Sequence, residues 1–113
     1  MTKWKEISSM EQWNQAKEDS SGHPIVILKH STACPVSFNA LREYEAYLER
    51  EPNETVEYRL VKVIESRPVS NQIAADLGVK HESPQIICIK NSENYWNASH
   101  YAITDEHMKA VLN

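Results

Sequence analysis

The sequence has only two cysteines, Cys34 and Cys88, far apart in its 113 residues. They make no disulfide framework, and their scarcity fits a reducing compartment. There is no Cys-x-x-Cys and no His-x-x-x-His spacing, so no zinc or other metal site is expected. Basic residues are outnumbered, 12 against 16 acidic, for a net charge of -4 without a basic cluster, which argues against a nucleic-acid partner. No apolar run is long enough to span a bilayer, and the beginning of the chain (Lys3, Trp4, Lys5, Glu6) lacks the apolar core of a signal peptide. The expectation is a cytoplasmic protein with no membrane contact. Internal repeats, linkers and low-complexity segments are also missing.

The composition, 41% apolar and 25% charged, is ordinary for a soluble globular chain. The length predicts one domain, 1–113, able to bury a core without staples. Trp4 to Ile7 reads as a short edge strand. Ser8 or Ser9 offers a helix N-cap with Glu11 or Gln12 as capping-box partners, and Met10, Trp13 and Ala16 share the inward face of that helix. Asp19 to Pro24 is the loop that ends it. Ile25 to Leu28 is apolar throughout, as in a strand covered on both faces.

Lys29, His30, Ser31, Thr32, Ala33, Cys34 and Pro35 follow, and then an amphipathic helix of about fifteen residues, with Ser37, Leu41, Tyr44 and Leu48 on one stripe and Pro52 as its stop. Val56 to Ile64 reads as a second central strand. Arg67-Pro68 opens a helix that buries Ile73, Ala74 and Leu77, and Gly78 supplies its left-handed cap. Pro84 marks the entrance to a strand from Gln85 to Lys90, since proline cannot sit inside a central strand. Asn91 to Asn94 is a turn, Tyr95 to Ile103 the return strand of a hairpin. Thr104 caps a last helix with Asp105 and Glu106 in its first turn and Met108, Val111 and Leu112 facing in. Strand, helix, strand, helix requires a crossover and therefore a parallel pair.

The chemistry concentrates where the first central strand meets its helix. Pro35 suits the first helical position, which places Cys34 near the N-cap. Unpaired N–H groups and the helix dipole favour a negative charge there, and a thiolate is such a charge. Lys29 and His30, a few residues upstream, are candidates to add positive field. The other cysteine, Cys88, lies between Ile87 and Ile89 and reads as core.

The order of elements, with a cysteine at a helix start and a Ser-Pro before an antiparallel hairpin, resembles the thioredoxin-like α/β fold: a central mixed sheet of four to five strands with helices on both faces. In that fold the proline before the hairpin is cis and lies against the active cysteine; Ser83-Pro84 matches it. The closer resemblance is to the monothiol bacilliredoxins. It rests on Lys29-His30-Ser31-Thr32, Cys34-Pro35-Val36-Ser37, Arg67-Pro68-Val69-Ser70-Asn71, and the segment from Gly78 through Gln85. One departure is Ala33, where the family often has Thr.

The resemblance implies a thiol-disulfide oxidoreductase with Cys34 as nucleophile and Ser37 in the place where a dithiol relative carries its resolving cysteine. Ser37 could also donate a hydrogen bond to the thiolate. No tightly bound cofactor is implied; bacillithiol is the co-substrate, and S-bacillithiolated proteins and a redox partner protein are the expected partners. Bacillithiol carries a malate, so a cationic, donor-rich rim is expected from Lys29, His30, Thr32, Arg67 and the Ser83-Pro84 segment; His81 and His100 rank behind them. The competing readings are a thioredoxin-like interaction or chaperone module without redox turnover, and an iron-sulfur ligand role for Cys34, against which the Cys-Pro-Val-Ser sequence differs from a Cys-Gly-Phe-Ser motif.

Overall fold

Strand β2, Ile25–His30, is buried at every position and is the spine of the sheet. The computed structural model describes residues 3–50 and 52–113. Around β2 lie β1 (Lys5–Glu6), α1 (Met10–Asp19), α2 (Pro35–Arg50), β3 (Glu57–Lys62), α3 (Arg67–Leu77), β4 (Gln85–Lys90), β5 (Glu93–Ser99) and α4 (Asp105–Leu112), with a 3₁₀ turn at His100–Ala102. The strand order is β1-β3-β2-β4-β5. β1, β3 and β2 run parallel, whereas β2 with β4 and β4 with β5 are antiparallel. This is the mixed, five-stranded thioredoxin-like sheet that the element order implied.

Alternation along β2 divides its side chains between two cores. Val26 and Leu28 pack with Ala40, Tyr44 and Leu48 of α2 and Met108 of α4. Ile25 and Ile27 pack with Trp13 and Ala16 of α1 and Val69 and Ile73 of α3. Helices cover both faces, which explains why Ile25 to Leu28 needs no polar residue. The α1–α3 layer is tied by Asp76, whose carboxylate accepts from Trp13 Nε1 at 2.8 Å, Lys17 Nζ at 2.8 Å and Gln72 Nε2 at 2.7 Å. Those donors, Lys17 foremost, hold the Asp76 carboxyl down at about 2.

Several boundaries differ from the sequence-based expectation, each for a local reason. β2 continues past Leu28 because Lys29 and His30 both find buried partners. The hairpin turn needs only Asn91 and Ser92, at φ 53° and 62°, so β5 begins at Glu93. It ends at Ser99, where His100 at φ 55° takes the backbone out of the extended ladder. β3 is shorter than Val56 to Ile64, although Val63 N–H still donates to His30 O at 3.0 Å. β1 is likewise shorter than Trp4 to Ile7, with Ile7 N–H donating to Leu60 O at 2.8 Å beyond its end. Met10 is 37% exposed, and the inward face of α1 is carried by Trp13 and Ala16. Ser9 caps α1, its hydroxyl accepting from Gln12 N–H at 3.1 Å.

Candidate active site

Four chain segments meet at one end of the sheet. Val63 follows β3 beside His30, the last residue of β2. Gln85 pairs with Lys29 on one side and Ser99 on the other, so Pro84 lies between His30 and His100. Pro84 O accepts from His100 N–H at 3.0 Å, and the Ser83-Pro84 peptide is cis. The loop from β2 to α2, which carries Cys34, leaves from this same end.

Cys34 takes the capping position of α2. Its carbonyl accepts from Ser37 N–H at 3.1 Å and Phe38 N–H at 3.2 Å, and its own N–H donates to Ser31 O at 3.4 Å. Pro35 opens the helix, where its missing N–H leaves no bond unmade. The thiol is free and partly exposed, and Sγ makes no hydrogen bond to any described residue. It is therefore open to an incoming sulfur.

Ser37, one turn into α2, is fully buried. Its hydroxyl oxygen accepts from Ser31 N–H at 2.8 Å and shares a hydrogen bond with His30 Nδ1, also at 2.8 Å. It thus clamps both ends of the Ser31 to Cys34 loop to the strand it leaves. His30 is 3% exposed, with Phe38 edge-on at a ring-centroid distance of 4.9 Å. Burial pushes its pKa below the usual imidazole range, opposed by the hydrogen bond at Ser37 and the charge of Glu65.

The other residues expected at the rim are placed as follows. Thr32 Oγ1 donates to Glu65 Oε2 at 3.2 Å, on the exposed side of the Cys34 loop. Arg67, the first residue of α3, is exposed and has no carboxylate partner among the described residues. Ser83 Oγ is buried without a hydrogen-bond partner. Lys29 is fully buried on the α1–α3 face, with Nζ donating to Ser70 O at 3.0 Å and 3.2 Å from His81 Nδ1. Cys34, Thr32, Ser83 and Pro84 are brought to one sheet end; Lys29 and His30 reach it only from inside. What sequence reasoning missed is the Lys29–His81 contact, and its one available signal was parity, since Lys29 continues the Ile25, Ile27 face.

Cys88 is 1% exposed among Val26, Leu28 and Ile86, and burial pushes its thiol pKa up. It pairs with Val26 in the middle of the sheet. Both cysteines are free, and Cys88 faces a position four residues back along β2 from the end that leads to Cys34. Among the described residues no group of three or more His, Cys, Asp or Glu could hold a metal ion, and no helix is long and apolar enough to cross a membrane.

The structure matches a protein solved as a candidate oxidoreductase with a thioredoxin fold at 32% identity and a TM-score of 0.82, covering 96% of this chain and 92% of that one. It also matches the thioredoxins of Nicotiana alata (14% identity, TM-score 0.75, 96% and 89% covered) and Malassezia sympodialis (20%, 0.73, 97% and 88%). The last two share the fold alone. The family model described as monothiol bacilliredoxin BrxC matches residues 5–108. That match and the single reachable cysteine support redox chemistry at a thiol. Built on a thioredoxin-like sheet, with a hydroxyl rather than a thiol one helical turn after its cysteine, the chain belongs to the monothiol bacilliredoxin family.

Proposed function

We propose that this protein removes bacillithiol from S-bacillithiolated proteins through a mixed disulfide on Cys34. The Cys34 thiolate attacks the bacillithiol sulfur of the substrate disulfide, a new Cys34–S–S–bacillithiol bond forms, and the substrate cysteine leaves as a thiolate. A second bacillithiol thiolate, or the thiolate of a redox partner, then attacks the mixed disulfide. Bacillithiol disulfide, or a partner–bacillithiol mixed disulfide, departs and Cys34 returns as a thiolate.

The observation that carries this reading is the pairing of an open Cys34 with a Ser37 hydroxyl already committed to Ser31 and His30. A hydroxyl cannot attack a disulfide, and Cys88 is sealed in the core. The adduct on Cys34 must therefore wait for an external thiol. Thr32, Arg67 and the Ser83-Pro84 segment form the rim that would meet the ligand.

Intact-mass spectrometry of the wild type and Cys34→Ser after exposure to bacillithiol disulfide, followed by added bacillithiol, tests this directly. The expected result is one bacillithiol adduct on the wild type, reversed by the thiol, and none on the variant. No adduct on either protein would leave a thioredoxin-like interaction module in its place.

A further inference from the structure

A fully buried lysine without a carboxylate partner is costly, because an ammonium loses its hydration and gains only what its neighbours offer. Lys29 finds a backbone carbonyl, Ser70 O at 3.0 Å, and one side-chain atom, His81 Nδ1 at 3.2 Å. An ammonium has only protons to give, so His81 Nδ1 must accept. The proton of the neutral ring then sits on Nε2. His81 is exposed, and Nε2 has no partner among the described residues. The ring is thus held with its donor pointing outward.

The surroundings favour an anion. Burial and the charges of Lys29 and Arg67 push the His81 pKa down, with only Glu82 opposing. This keeps the ring neutral and the Nδ1 contact intact. Arg67 has no carboxylate partner among the described residues, and Ser83, two residues after His81, carries a buried hydroxyl without a partner. In a chain of net charge -4, His81 and Ser83 on the loop into Pro84 and Arg67 at the start of α3 keep donors without acceptors among the described residues, while the one carboxylate on that loop, Glu82, lies 3.7 Å from His100 Nε2.

We propose that His81 Nε2–H, oriented by Lys29 from inside the sheet, donates to a carboxylate of the small thiol exchanged at Cys34, with Arg67 beside it. This rests on the proposed exchange at Cys34 and adds which residues read the ligand. Lys29 is a positioning residue: it never touches the ligand and acts through His81.

The test begins without redox chemistry. In Cys34→Ser protein, long-range proton–nitrogen NMR should show His81 as the Nε2–H tautomer, and a second background carrying Lys29→Met should show the two tautomers mixed. Malate, used as a dicarboxylate probe, should shift the His81 and Arg67 resonances, and the Arg67 shift should weaken in Lys29→Met and His81→Ala. An Nδ1–H tautomer in the Cys34→Ser protein, or a malate response unchanged by His81→Ala, overturns the proposal. With Cys34 restored, the preference for bacillithiol disulfide over the uncharged hydroxyethyl disulfide should fall between about two- and tenfold in His81→Ala, the range one hydrogen bond supplies. If Cys34 reacts with neither disulfide, the exchange reading fails while the malate result still decides the role of His81.

Discussion

Two consecutive residues at the end of β2 brace two different loops from opposite faces of the sheet. His30 points toward α2 and shares a hydrogen bond with Ser37, which clamps the Cys34 loop. Lys29 points toward α3 and meets Ser70 and His81 ahead of Pro84. The first brace is neutral and fully enclosed, whereas the second is a cation with one side-chain contact. The lesson is that burial in the same strand stabilises through one polar residue and costs through the next, and both costs and gains converge on the same sheet end.

Removing the neutral brace should affect both stability and exchange. Ser37→Ala leaves Ser31 N–H and His30 Nδ1 without their shared partner, and a stability loss of about 1–3 kcal/mol is expected in urea unfolding. Exchange at Cys34 should slow as well, because the loop that presents the sulfur loses its clamp. A Ser37→Ala protein of unchanged stability would show that the two hydrogen bonds contribute nothing net.

Lys29→Met should do the opposite at neutral pH, since an apolar side chain of similar length carries no charge to desolvate. Burial lowers the Lys29 pKa from 10.5 to about 8. Between those values the unfolded chain binds the proton that the native chain has released, so wild-type stability rises with pH across that window. The advantage of Lys29→Met should accordingly be full below pH 8, about 1–3 kcal/mol, and fade towards pH 10.5. Parallel denaturation curves at pH 7 and pH 10 measure it, and an equal difference at both would place the titration of Lys29 elsewhere.

The smallest effect is expected from Asp76, which joins α1 to α3 at the surface. Its depressed pKa contributes stability above the ordinary carboxylate value of 3.8, lost as pH falls towards 2. Solvent screening keeps the contribution below about 1 kcal/mol. Asp76→Asn should lower the melting temperature slightly at pH 7 and match the wild type near pH 2. A gap that persists in acid would assign the effect to packing at Trp13 instead.

Most of the fold was legible because its signals are local. The apolar run Ile25 to Leu28, the Gly78 cap at φ 64° and the Thr104 cap, whose hydroxyl accepts from His107 N–H at 3.1 Å, each act within a few residues. Cys34 before Pro35 was legible for the same reason. Lys29 was not: as a charged residue after an apolar run it read as part of the active-site rim, whereas its partners lie 41 and 52 positions away. One of them is a backbone carbonyl that no sequence pattern marks. Ser37 read as a residue that could donate to the thiolate; what no local pattern marked is that its oxygen also accepts from Ser31 N–H and shares a hydrogen bond with His30 Nδ1.

The enclosure of Cys88 has a kinetic consequence. With Cys88 1% exposed and Ser37 carrying oxygen, one molecule of this protein offers a single thiol to the solvent. A mixed disulfide formed there cannot decay on a clock of its own. Its lifetime varies inversely with the concentration of whatever thiol arrives next, so the loaded fraction of the population registers how depleted the surrounding thiol pool has become.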